Sequence, residues 1–195
     1  MQTRKSGSGV GQKRKHTCVV ESEQPPKQQK KEMPLAEKTR ASKPDFAPLY
    51  KKHKEILENM GIDTEKMGAL RRLLHTHPEG GFKEFRTQKQ VRQTLKEFGI
   101  EDKYIKDCAG TGLVVDIIGT SDQESKEGIT SVALRADMDG LPIPENNPHL
   151  SYKTTTDHAH MCGHDGHMAT ILTTAQILHK NRDKIPKGKF IRLLF

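Results

Sequence analysis

Apolar side chains recur at two different spacings along this chain, and the change of spacing divides it into elements. Met67, Leu70, Leu73 and Leu74 follow the three-and-four spacing of an amphipathic helix, with Asp63 placed to cap its amino end. A second helix is expected where Val91, Leu95 and Phe98 share a face. Thr87 and Gln90 suggest a capping box ahead of it, and Gly99 sits where a left-handed cap would end it. The spacing then shortens. Leu113 to Ile118 and Ser131 to Leu134 are short, β-branched runs around a polar loop, Thr120 to Gly128, and read as two adjacent strands, conceivably a hairpin. Met168, Ile171, Leu172, Ala175 and Leu178 restore helical spacing from about His167, and Lys189 to Phe195 forms a last strand-like run. The order suggests a layered α/β domain whose final strand follows a helix, as in a crossover unit. A final strand left unpaired would expose an apolar edge.

Composition narrows where that domain lies. Only 32% of the 195 residues are hydrophobic, 5% are aromatic and none is Trp, too little for a core spanning the whole chain. Residues 1–45 are mostly Lys, Gln, Ser, Glu and Pro, carry +6 of the chain's net +8, and are expected to form a disordered basic tail. Residues 46–195 are expected to hold the fold. The cluster Lys13-Arg14-Lys15 invites a nuclear-import or nucleic-acid reading, but such clusters in tails are mostly solvated charge. No apolar run is long enough to span a membrane, and the first residues lack a secretory signal, so a cytoplasmic setting is expected. Cys18, Cys108 and Cys162 stand too far apart for a disulfide framework.

The candidate chemistry is concentrated in Asp157 to His167, which holds four of the ten histidines, Cys162 and two aspartates. Thiolate and imidazole are preferred zinc ligands, and carboxylate extends the range towards manganese. Glycines on either side would let Cys162 and His164 face one centre, just ahead of a helix whose positive end favours a thiolate. A structural zinc site would want four protein ligands, and Cys108, the nearest other cysteine, is far away. A second constellation, Arg135 to Pro142, places Asp137 and Asp139 after a strand, where ligands gather in open α/β sheets. It reads equally as an ordinary Asp-rich turn.

Arg135-Ala136-Asp137-Met138-Asp139-Gly140-Leu141-Pro142 followed by Cys162-Gly163-His164-Asp165-Gly166-His167 resembles the metal-dependent amidohydrolases that act on N-acyl-L-amino acids, hippurate and indole-acetyl-amino acids. Leu70 to His75 with His77-Pro78-Glu79 and Phe82-Lys83-Glu84-Phe85 is similar to that family's amino-terminal signature. The resemblance implies a three-layer, zinc-peptidase-like α/β catalytic domain and two divalent metal ions, Mn or Zn, with Cys162 and His164 as ligands. Asp137, Asp165 and His167 would orient those ligands from behind. It implies small-molecule N-acyl amino acid substrates and a homo-oligomer formed through a lid domain; it favours neither membrane nor nucleic acid as a partner. No catalytic residue is assigned within the chain. The family's general base lies on a Glu-Glu segment expected after Phe195, so the catalytic domain is expected to be truncated here, and residues 1–195 alone are expected to show no meaningful amidase activity. The alternative is an inert interaction protein derived from the hydrolase half-domain, its basic tail binding acidic partners. A structural zinc module that uses Cys108 is a third reading.

Overall fold

The computed structural model describes residues 45–123 and 131–195. Apart from Asp45, the expected basic tail, with Cys18 and Lys13-Arg14-Lys15, lies outside the described residues, as does most of the polar loop before Ser131. Among the described residues no helix is long and apolar enough to cross a membrane.

Among the described residues four α-helices and four strands follow in the order α1 (Ala47–Asn59), α2 (Thr64–Thr76), α3 (Phe85–Glu97), β1 (Ile105–Cys108), β2 (Gly112–Ile118), β3 (Ser131–Arg135), α4 (His164–Lys180) and β4 (Phe190–Leu194). The spacing of apolar residues locates α2, α3, α4, β2, β3 and β4. Asp63 caps α2 as its position suggests, its side chain accepting from the Lys66 N–H at 2.9 Å. Gly99 takes φ +90° after α3. Helix α3 begins two residues before Thr87, so the expected capping box does not form. The Glu79 carboxylate reaches in from the preceding loop and accepts from the Arg86 and Thr87 N–H groups at 3.1 and 2.7 Å. Helix α1 was not legible because it buries no residue at all; Phe46, Leu49, Tyr50 and Ile56 remain exposed along it. Strand β1 has only four residues, one of them buried, and alternation cannot mark so short a run.

Sheet order corrects two expectations. The strands lie β1-β2-β4-β3, so β2 and β3 are not neighbours and form no hairpin. The hairpin is β1–β2, turned through Ala109 and Gly110, both at positive φ. Strand β4 is interior, antiparallel to β2 and parallel to β3, so the last strand has no open edge. The β3–α4–β4 segment is the expected crossover.

One face of the sheet presents Leu113, Val115, Ile117 and Leu193 to Leu70 and Leu74 of α2, Val91 and Leu95 of α3, and Met168, Leu172 and Ala175 of α4. That cluster is the core. It puts the amino end of α4 beside the carboxyl ends of β3 and β4. Replacing Leu193, fully enclosed at its centre, with Ala is expected to destabilise the fold by about 2–5 kcal/mol. Val132→Ala on the edge strand, where the side chain is 52% exposed, should stay within about 0.5 kcal/mol of wild type. Urea denaturation of the two variants checks the contrast.

Candidate metal centre

Three loops converge at that end of the sheet. Gly140 donates its N–H to the Glu79 carbonyl at 2.7 Å, and Leu141 and Ala159 exchange two backbone hydrogen bonds of 2.9 Å each. A side chain at residue 140 would strike Pro78, its Cβ only 2.7 Å from that ring's Cβ, so the first two loops can close only over glycine. The Asp-rich segment is therefore held against both the His77-Pro78-Glu79 turn and the segment leading to Cys162.

Helix α4 starts at His164, three residues earlier than its apolar spacing suggests. Gly163 precedes it at φ +82° and accepts from the Gly166 and His167 N–H groups at 2.9 and 3.0 Å. Cys162 is exposed and unbridged. The His164 Nδ1 lies 2.9 Å from both the carbonyl and the Oδ1 of Asp139. Two acceptors on that side make Nδ1 the protonated nitrogen, which leaves the opposite Nε2 with its lone pair for a cation. The ring of His167, exposed one turn on, is 5.5 Å from that of His164 between centroids.

The sequence-predicted carboxylates go to different places. Asp137 is paired with Arg135 at the rim, and the aspartate brought to His164 is Asp139. Asp165, fully buried, turns inward. Its Oδ2 is 2.7 Å from Arg71 Nε and 2.8 Å from His75 Nδ1. The other ring nitrogen of His75 lies 3.2 Å from Glu145 Oε1. Glu145 also accepts from Asn147 Nδ2 at 3.0 Å and from the Thr154 N–H at 2.7 Å. Burial alone would raise the pKa of Glu145; the bonds from Asn147, Thr154 and His75 outweigh it and hold the pKa below the ordinary carboxylate value. Tyr152 packs edge-on against His75, with the guanidinium groups of Arg71 and Arg72 at 5.9 and 5.8 Å from its ring centroid. His160 is buried beside this group with no hydrogen-bond partner on either ring nitrogen, and Asp165 Oδ1 is equally unpartnered. Burial lowers the pKa of His160, against an upward pull from Asp165.

The roles of His75, Arg71 and Glu145 were missed in the sequence, although one signal was present. Arg71 and His75 are four residues apart on the apolar stripe of α2, where a charged side chain needs a buried partner. Glu145 sits in an irregular loop and carried no signal.

A cleft of about 410 Å³ opens between Gly81, Phe82 and Glu84 on one side and Asp137, Asp139 and Phe195 on the other. Cys162 and His164 lie outside its wall; Asp139 joins the two regions. A thiol and an imidazole with its second nitrogen held suit zinc or a neighbouring cation. Among the described residues no group of three His, Cys, Asp or Glu side chains is assembled for one.

One mixed sheet, a β3–α4–β4 crossover and donor side chains at the amino end of α4 are the features of an α/β metallopeptidase-like fold. In comparison with known proteins, residues 133–195 match the model of Peptidase family M20/M25/M40. The chain is 43% identical over 127 residues to Thermostable carboxypeptidase 1 of Saccharolobus solfataricus, an alignment covering 65% of this chain and 30% of that protein. It is 40% identical over 127 residues to the N-acyl-L-amino acid amidohydrolase of Geobacillus stearothermophilus, covering 65% of this chain and 32% of the relative. Among solved structures, the Bacillus subtilis YXEP protein, described as a dinuclear metal binding peptidase from the M20 family, superposes with a TM-score of 0.58 at 35% identity. That match covers 67% of this chain and 34% of the other. Over about two thirds of its length the chain is thus similar to proteins named as amidohydrolases, carboxypeptidases and an M20 peptidase. The chain spans about a third of the length of the curated relatives it matches.

Two expected outcomes follow from this geometry. Gly163→Ala meets no neighbour within 4 Å but must hold a left-handed backbone, and should cost about 1–2 kcal/mol in chemical denaturation. Glu145→Gln should lower stability at pH 7 by about 1.5–3 kcal/mol, because His75 loses a charged acceptor. With a depressed folded pKa, Glu145 contributes stability that is present above its unfolded value of about 4.3 and lost as pH falls through the folded value. Stability measured below about pH 5 should therefore fall less steeply in the Gln variant than in wild type.

Proposed function

We propose that the whole protein is a metal-dependent hydrolase of the amide bond in N-acyl amino acids, and that Cys162 and His164 are ligands to its pair of divalent cations, manganese or zinc. The observation that carries this reading is the state of His164. Asp139 occupies its Nδ1 from two sides, so Nε2 is the donor on offer, two residues from an exposed thiol and across a left-handed glycine. Relatives named as amidohydrolases and carboxypeptidases, and a neighbour described as dinuclear metal binding, support it.

When bound, the cations supply a Lewis acid for the scissile carbonyl and water of lowered pKa. This chain's residues hold and orient. Asp139 fixes the His164 ring and, as an acceptor, raises the basicity of Nε2. Gly163 sets the angle between Cys162 and His164. His167 lies beside His164, Asp165 anchors the first turn of α4 from within, and Asp137 presents its carboxylate to the cleft beside Arg135. The cleft along Phe82 and Asp137 offers space for a small acyl amino acid.

In the full-length protein, Cys162→Ser and His164→Ala should each remove bound metal and chelator-sensitive hydrolysis of an N-acetyl amino acid. Asp139→Asn should weaken metal binding about 10–100-fold. Equilibrium dialysis with elemental analysis measures both. Unchanged metal content in the Cys162 and His164 variants would remove the assignment.

A further inference from the structure

The mechanism above gives no part to the side chain that contacts most of the buried charge. His75 is 5% exposed and lies between two carboxylates whose side chains are wholly enclosed, Asp165 at Nδ1 and Glu145 at Nε2. An ionised carboxylate can only accept, so a ring that serves both must donate from both nitrogens. The two partners belong to different parts of the centre. Asp165 is in the first turn of α4, next to His164; Glu145 fastens the loop that runs through Thr154 towards Cys162. The ring comes from α2, whose position is fixed separately by Leu70 and Leu74 in the core.

Gly163 has no side-chain cap and takes a φ of +82° that suits glycine, so the bend before the first turn of α4 is held by backbone hydrogen bonds alone. The core residues Met168, Leu172 and Ala175 hold the body of the helix, and the buried side chain nearest the bend is Asp165, two residues on. Asp165 has two donors. Arg71 approaches from a side chain that is 37% exposed and flexible, whereas His75 is enclosed by Tyr152 and His160.

On the reading that Cys162 and His164 bind metal, we propose that His75 is a positioning residue for that pair, acting through its Nδ1–H to Asp165 to fix the first turn of α4. The bond to Glu145 holds the loop and is secondary. His75 touches neither ligand, and its effect passes through the helix.

The two halves of the ring can be replaced separately. In His75→Asn the amide nitrogen falls near the place of Nδ1 and keeps the donor to Asp165. In His75→Gln it falls near Nε2 and keeps the donor to Glu145 instead. The probe is cobalt(II), titrated into the full-length protein and followed by its thiolate-to-cobalt absorption band and visible ligand-field spectrum. Asn should bind cobalt with the wild-type spectrum and affinity. Gln should bind about 10–100-fold more weakly with a shifted ligand-field band. Equal affinities and spectra for the Asn and Gln variants would overturn the proposal, as would tighter binding by Gln. Because both substitutions are polar and similar in size, a loss of stability common to both leaves their order unchanged. Cys162→Ser in the same titration separates the two levels: if its spectrum equals wild type, the metal assignment itself fails, whatever the His75 variants do.

Discussion

An ionised carboxylate with no exposure to water, Asp165, is the constraint around which this end of the protein is arranged. Removing such a charge from water costs several kcal/mol unless cations and hydrogen bonds replace the lost hydration. Arg71 and His75 supply those hydrogen bonds, both from α2, which the core holds alongside α4 through Leu70 and Leu74. Glu145 then matches the second nitrogen of the ring, and Asn147 and Thr154 complete Glu145. A single enclosed charge thus dictates the identity of residues in two helices and a loop.

The division of work along α4 follows from helix geometry. His164 and His167 lie three residues apart on one side of the first turn and face outward, whereas Asp165 and Met168 lie on the other and face the core. The outward side carries the donors for a cation and the inward side carries the anchor. Asp139 joins the arrangement from the carboxyl end of β3, the position at which open α/β sheets collect their ligands. The glycine at 140 makes this approach available, because any side chain there would press on Pro78.

Much of this was legible in the residues. Apolar spacing located three helices and three strands, and the concentration of His and Cys between 157 and 167 pointed to the amino end of α4. The misreadings have physical causes. Strands β2 and β3 follow one another in sequence, but adjacency in the sheet is decided by which strand can cover the core, and β4 enters between them. The Thr87–Gln90 pair has the form of a cap, yet Glu79 takes over that function from outside the helix, and side chains arriving from another loop leave no local pattern. Two aspartates two positions apart, 137 and 139, are equivalent in sequence. The structure separates them, one paired with Arg135 at the rim and the other with His164. Glu145 left no local pattern either, because the ring it meets, His75, is 70 residues away in the chain.

The interior place of β4 has a consequence for how the molecule comes into being. Strands β2 and β3 leave the ribosome well before residues 190–194, the strand that pairs with both in the fold. During synthesis each therefore presents a row of open backbone donors and acceptors, the template on which unrelated chains associate. Closure of the sheet is a non-local event, which slows folding and lengthens the time those edges stay open.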